Sequence, residues 1–320
     1  MRDTILFGDC RETLKEFDEK ARTCVTSPPY YGLRDYGGED KQIGQEQTPD
    51  EFIEQLVSVF REVKNVLTDD GTLWVNLGDS YYNYRPGKGQ SYPKQSVSKT
   101  KQDLPDKCNK RGNKLEGLKE KDLIGIPWLF AFAMRNDGWH LRQDIIWHKP
   151  NPMPESVRDR CTKAHEYIFL FSKNKKYYYN NEAIKEPAKD WGTRDRTNGK
   201  YHNEGTGLQP HSGLTKSYPT KNKRSVWTVT NKPYREAHFA TYPPDLIEPC
   251  ILAGSEVGDI VLDPFMGSGT TAAVAKALGR DYIGCELHED YGNLIQKRVQ
   301  EYKPVKEVAQ EPCINILDII

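Results

Sequence analysis

Val261-Leu-Asp-Pro-Phe-Met-Gly-Ser-Gly-Thr-Thr271 is the stretch that decides the fold. Asp259–Leu262 reads as a buried strand and Thr270–Leu278 as a helix, so the glycines between them stand at a strand-to-helix turn. At such a turn a ligand can approach backbone amides and the amino end of a helix. The lysine of a phosphate-gripping loop is missing, and the three-glycine dinucleotide fingerprint is incomplete. Glu286 closes the next strand, Tyr282–Cys285, about 20 residues on, where an acidic side chain can accept from both ribose hydroxyls. A cofactor with a ribose and no pyrophosphate fits. Taken alone, a glycine turn is also what an ordinary strand-to-helix connection needs for backbone reasons.

The same alternation of strand and helix frames the rest of the chain. A helix runs to Ala253 ahead of the glycine turn, and another spans Asp290–Tyr302 after it. At the amino end, Ile5–Phe7 and Thr23–Thr26 read as short strands around a helix at Arg11–Phe17, an opening βαβ unit. Phe52, Ile53, Leu56, Val57, Phe60, Val63 and Leu67 recur at three- and four-residue spacing. They predict a helix begun by Thr48-Pro49 and closed before Asp69-Asp70-Gly71. Thr72–Leu77, Leu141–Trp147 and His165–Phe171 are further strands, and Ile126–Met134 a further helix. The pattern implies an α/β fold with a mostly parallel sheet covered on both faces. Tyr81–Lys121 and some fifty residues after Tyr179 show no periodicity, and read as insertions or loops.

Thr26-Ser27-Pro28-Pro29-Tyr30 ends one of these strands. An exocyclic amine on a nucleobase is a poor nucleophile because its lone pair is delocalised into the ring, so a site that alkylates it must hold its protons with acceptors. Ser27 Oγ and a carbonyl of the Pro28-Pro29 turn are suitable, since the prolines fix the turn and remove two donors. Tyr30 can stack on an extruded base. A Pro-Pro turn that merely ends a strand is the plainer reading of this motif by itself.

Together, Ser27-Pro-Pro-Tyr30 and Asp263-Pro-Phe-Met-Gly-Ser-Gly-Thr-Thr271 resemble the amino-methyltransferases of DNA in the permuted β-class arrangement. In that class the catalytic motif precedes the cofactor motif and a target-recognition region lies between. Phe7-Gly-Asp9-Cys resembles the family's Gly-Asp turn, Asp70–Gly78 its helix-to-strand segment, and Ala237-His-Phe-Ala-Thr-Tyr-Pro243 its His-Pro segment, with Phe239 where proline is usual. The resemblance implies a Rossmann-like fold that binds S-adenosyl-L-methionine. Asp263, Pro264, Phe265, Gly267 and Gly269 would surround the methionine end, and Thr270 or Thr271 the carboxylate. Glu286 would hold the ribose and Asp9 the adenine. Serine at the first catalytic position implies cytosine N4 as the target, with adenine N6 as the alternative. A protein glutamine methyltransferase and an inactive nucleic-acid-binding module are more distant readings. The order of the motifs argues against the first, and the intactness of both motifs against the second.

The 46 basic and 46 acidic residues balance overall but not locally. Arg85–Lys121 holds 11 basic and 4 acidic residues, and Arg142–Arg235 holds 19 and 9, a face suited to phosphates. Arg194, Arg196, Lys221, Lys223 and Arg224, near Tyr177-Tyr-Tyr-Asn-Asn181, are the candidate DNA contacts. Trp147-His-Lys-Pro-Asn-Pro152 is a possible site lining or a core strand ending in a turn. The implied partner is double-stranded DNA, with a cognate restriction endonuclease as a possible genetic partner and the oligomeric state left open. Seven scattered cysteines, without Cys-x-x-Cys spacing, suggest neither a disulfide framework nor a zinc site. No stretch is apolar enough for a signal peptide or membrane span, so a soluble, cytoplasmic protein is expected. The expected organisation is a catalytic half at 1–80, a basic insertion at 81–121, core at 122–180 and target recognition at 181–236. The cofactor half follows at 237–302 and a tail at 303–320.

Overall fold

A computed structural model describes residues 1–32, 42–82, 115, 117–188, 219–231 and 241–303. Most of the first basic segment, Arg194, Arg196, residues 237–240 and the apolar tail lie outside them. The strands are β1 (Thr4–Phe7), β2 (Ala21–Thr26), β3 (Leu67–Leu77), β4 (His140–His148), β5 (His165–Ser172), β6 (Glu186–Pro187), β7 (Thr220–Lys221), β8 (Val226–Thr228), β9 (Ile260–Asp263) and β10 (Asp281–Glu286). Eight form one sheet in the order β1-β10-β9-β2-β3-β5-β4-β8, and β6 and β7 pair separately. Within the large sheet only β5 runs against its neighbours.

The helices are α1 (Cys10–Thr13), α2 (Pro49–Val66), α3 (Ile126–Asn136), α4 (Pro244–Gly254), α5 (Thr270–Ala277) and α6 (Gly292–Glu301). Successive strand residues point to opposite faces, and the core divides accordingly. Cys24, Leu73 and Val75 pack with Phe52, Leu56 and Phe60 of α2 and Phe130 of α3. Val25 and Trp74, one residue out of step, pack with Ile247 and Ile251 of α4, Val274 of α5 and Ile295 of α6. Both faces are therefore covered, as the apolar runs of β2 and β9 require. Helix α2 starts where its capping box requires: Thr48 Oγ1 accepts from the Glu51 amide and the Glu51 carboxylate from the Thr48 amide, with Pro49 in the first turn.

Three expectations change. β1 and β2 are not neighbours, because β10 and β9 from the far end of the chain insert between them. The opening segment therefore crosses two strands instead of forming a closed βαβ unit, and residues 1–80 and 237–302 are interleaved parts of one sheet. Strand β3 takes in Asp69-Asp70-Gly71, read from sequence as a terminator. Arg22 makes that tolerable by pairing with Asp70 and with Asp259, the latter at 3.2 Å. Finally, the stretch after Tyr179 contributes an edge strand, β8, whose three residues are too short to register as a period.

Candidate active site

All the strand ends that matter lie on one side of the sheet. The carboxyl ends of β9, β10, β1, β2, β3 and β4 meet there with the amino end of the reversed β5. β9 is the natural place for a ligand because the chain order reverses beside it.

The loop leaving β9 is shaped by backbone. Gly267 (φ 52°) and Gly269 (φ 81°) take left-handed conformations, and Gly269 caps α5. A Cβ on Gly269 would sit 2.8 Å from Ile295 Cγ2 and 3.1 Å from Ile295 Cα, so glycine there lets α6 pack against the turn. A Cβ on Gly267 would meet nothing nearer than 3.9 Å, leaving that face of the turn open to a ligand. Glu286 Oε2 accepts from the Gly267 amide at 2.8 Å, and Oε1 from the His288 amide at 3.0 Å. A carboxylate offers about four acceptor positions, so capacity remains for a ribose hydroxyl. Burial pushes the Glu286 carboxyl above its ordinary range, and the two amides oppose that rise. At the end of β1, Gly8 donates its amide to the Glu286 carbonyl at 2.9 Å, which brings Asp9 to the same rim. Asp9 caps α1 through the Arg11 amide and pairs with the Arg11 guanidinium at 2.5 Å.

Asp263 lies beneath the turn that it begins. It is 1% exposed and accepts from Thr26 Oγ1 (2.6 Å), Thr271 Oγ1 (2.6 Å), the Tyr242 hydroxyl (3.0 Å) and the Phe265 amide (3.0 Å). Burial raises its pKa, and these four donors work against the rise. It ties the loops together beneath the surface. Thr271 is turned toward the same hub, its hydroxyl against that of Tyr242, while Thr270 is buried. The amino end of α5 thus offers a carboxylate its backbone amides more readily than the Thr271 hydroxyl. Pro264 is buried in this turn, and the half-buried Phe265 packs edge-on to Phe60 at 6.4 Å.

β2 lies directly beside β9, with Thr23 opposite Val261 and Cys24 opposite Leu262. The Thr26–Asp263 bond closes their carboxyl ends together, so the two motifs read from distant parts of the chain stand side by side. Ser27 follows at once, its Oγ donating to Asn76 Oδ1 at 3.4 Å. Pro28 is buried and Pro29 half-buried, both with trans peptide bonds. The Tyr30 ring lies over Gly78, where a Cβ would come within 2.5 Å of it. Its hydroxyl donates to Glu166 Oε2 at 2.6 Å and lies 3.3 Å from Asn76 Oδ1. Glu166 is paired with Lys149, whose ammonium sits 4.1 Å from the Trp147 ring centroid.

Glu166 did not emerge from the sequence as a site residue, and Asn76, Tyr242 and Lys149 emerged only as parts of motif or lining segments. The available signal was a lone Glu166 in an otherwise aromatic and aliphatic strand. Of the candidate DNA contacts, Lys221 lies in β7, and Lys223 and Arg224 precede β8. Since β8 runs parallel to β4, Lys223 and Arg224 stand at its amino end, away from the rim of the site, and Lys221 belongs to the separate β6–β7 pair. Arg224 is exposed and paired with Glu186 at 2.8 Å, and Lys223 stands 5.0 Å from the Trp227 ring centroid. These three are not brought together with Ser27 and Asp263. Among the described residues no three His, Cys, Asp or Glu side chains group as a metal site, and no helix is long and apolar enough to cross a membrane. Cys10, Cys24, Cys161, Cys250 and Cys285 are free thiols.

A mostly parallel sheet with a glycine turn after its central strand, an acidic residue ending the next strand and a Ser-Pro-Pro-Tyr loop alongside defines a Rossmann-like, S-adenosylmethionine-dependent methyltransferase. The sequence profile of the DNA methylase family of N6- and N4-enzymes matches residues 21–297, and the chain belongs to that family. The chain is 46% identical over 301 residues to the Type II methyltransferase M.SmaI of Serratia marcescens, covering 92% of this chain and 90% of that one. It is 45% identical over 302 residues to the Type II methyltransferase M.XycI of Xanthomonas campestris pv. cyanopsidis, covering 94% and 89%. In fold it matches the PvuII DNA methyltransferase (cytosine-N4-specific) with a TM-score of 0.60 at 18% identity, covering 93% of this chain and 86% of that one. The protein is a DNA methyltransferase, and DNA is its substrate.

Proposed function

We propose that the chain methylates the exocyclic N4 of cytosine at a specific sequence in double-stranded DNA, after the base is flipped out of the helix. The carrying observation is the hydrogen bond from Thr26 to Asp263, which sets a cluster of acceptors, Ser27 Oγ and Asn76 Oδ1, against the glycine turn. The open face of Gly267 and the partly unused Glu286 carboxylate suit a ribose-bearing cofactor, and Asp9, held by Arg11, stands at the same rim. S-adenosyl-L-methionine, when bound, supplies an electrophilic methyl carbon. Glu286 would hold its ribose, Asp9 its adenine, and the Pro264–Gly269 turn with the α5 amides its methionine end.

The protein's part in the reaction is to position and polarise. Ser27 Oγ accepts a hydrogen bond from the target amine, which draws the nitrogen toward a tetrahedral shape and frees its lone pair for the methyl carbon. Tyr30 and the Pro28-Pro29 turn present a stiff wall to the base. Flipping costs a few kcal/mol, which phosphate contacts along the basic segments would offset. Cytosine is favoured by serine at the first catalytic position and by the name of the PvuII enzyme, which shares the fold. The Type II names of the relatives favour site-specific action with a cognate restriction endonuclease as genetic partner. Duplex DNA treated with the protein and cofactor, digested and analysed by mass spectrometry, should contain N4-methyldeoxycytidine. N6-methyldeoxyadenosine in its place would overturn the assignment of the base, and unmodified DNA the whole reading.

A further inference from the structure

A serine hydroxyl has one proton and two lone pairs, and whether it serves the target amine depends on where that proton points. If it donates elsewhere, both lone pairs are available to the amine. Ser27 donates to Asn76 Oδ1. Asn76, however, carries an oxygen and an NH2 of nearly the same shape, and the opposite orientation would turn a donor toward Ser27. Something must fix the amide.

We propose that Glu166, clamped by Lys149, is a positioning residue that fixes the Asn76 amide and thereby aims Ser27 as an acceptor for the target amine. This rests on Ser27 being that acceptor. Asn76 is 4% exposed and its Nδ2 donates to Glu166 Oε2 at 3.2 Å and to the Tyr167 carbonyl at 3.1 Å. Both partners of the Asn76 amide nitrogen can only accept, so the NH2 must face them and Oδ1 must face Ser27 and Tyr30. The Tyr167 carbonyl is fixed by the β3–β5 ladder, in which Tyr167 stands opposite Leu77. Glu166 Oε2 also accepts from the Tyr30 hydroxyl at 2.6 Å, so one oxygen orients both the amide and the aromatic wall. The other oxygen meets Lys149 Nζ, and the side chains of the pair are only 14% and 16% exposed. In so dry a setting a carboxylate without its cation is costly, which gives Lys149 its part. The 3.4 Å separation of Ser27 and Asn76 makes this the longest bond of the group.

Glu166→Gln keeps the shape but makes one end a donor. With Lys149 present, the Gln NH2 must face either the ammonium or the Asn76 NH2, and either choice sets donor against donor. We expect E166Q to lower kcat roughly 10- to 100-fold while the cofactor Kd and the KM for DNA stay within about threefold. In E166Q/K149M the ammonium is gone, the Gln NH2 can turn outward, and kcat should recover at least about threefold over E166Q. A residue that only supports the fold would show no recovery, because each change would add its own damage. The role is overturned by E166Q with kcat within about twofold of the parent, by parallel loss of cofactor binding, or by a double variant no faster than E166Q. If E166Q does not fold, the double variant is compared with K149M and should match or exceed its kcat. Failure of both E166Q variants to fold would make Glu166 a fold-supporting residue and end the proposal. Ser27→Ala is measured alongside. Normal turnover in S27A sinks the acceptor reading itself, whereas slow S27A with normal E166Q sinks only the part given to Glu166.

Discussion

Between β9 and β10 the site is made mostly of backbone: two left-handed glycines, the amides of Gly267 and His288, the amino end of α5, and one carboxylate that gathers them. Between β2 and β4 it is made of side chains drawn from separate strands and their ends: Ser27 and Tyr30 after β2, Asn76 in β3, Glu166 in β5 and Lys149 after β4. Backbone geometry recognises a cofactor that does not change from target to target. Side-chain polarity instead meets a reacting nitrogen, where the direction of each proton decides the outcome. Asp263 belongs to neither side and is bonded to both, through Thr26 on one and Thr271 and Phe265 on the other.

The largest effect should come from cutting that link. Asp263→Ala strands buried hydroxyls and an amide, so we expect a loss of about 2–4 kcal/mol in denaturant unfolding. Activity and cofactor binding should fall together. If only one of them fell, Asp263 would belong to a single side. Next, Gly269→Ala forces a side chain against Ile295 in a left-handed conformation and should cost about 1–3 kcal/mol, read as a lowered unfolding midpoint. Its kcat at saturating cofactor should be little changed, since the reacting side is untouched. A smaller, graded effect is expected with pH. Burial raises the Glu286 pKa, so its acceptor power is intact above that raised value and is lost as pH falls through it. Cofactor affinity measured calorimetrically should therefore weaken as pH falls toward the ordinary glutamate range, earlier than an unperturbed glutamate would allow. Glu286→Gln should flatten this dependence, and a profile unchanged in that variant would assign it to another group, such as Asp263.

The same division explains what the sequence revealed. The glycine turn and its acidic partner are local: strand, turn, helix and next strand follow one another, so with Ser27-Pro-Pro-Tyr30 they could be matched to a known family. That second motif was legible for the same reason. The residues around it were not, because Asn76, Lys149 and Glu166 converge only through the order β2-β3-β5-β4, with β5 reversed. A glutamate in an aromatic strand carries no mark of its partners, and neither does the Tyr242 hydroxyl that reaches Asp263. The interleaving of β9 and β10 between β1 and β2 escaped for a related reason: periodicity identifies a strand but not its neighbour. Acidic residues at the start of β3 read as a stop because the balancing Arg22 lies on the adjacent strand.

Single-turnover methylation of duplex DNA at saturating cofactor, measured for Ser27→Ala and Glu286→Gln beside the parent, separates the two sides most directly. S27A should bind cofactor normally and react roughly 100-fold more slowly, while E286Q should bind weakly yet react at nearly the parental rate once saturated. Equal slowing of both variants at saturation would contradict the division of labour between the glycine cradle and the Ser27 acceptor.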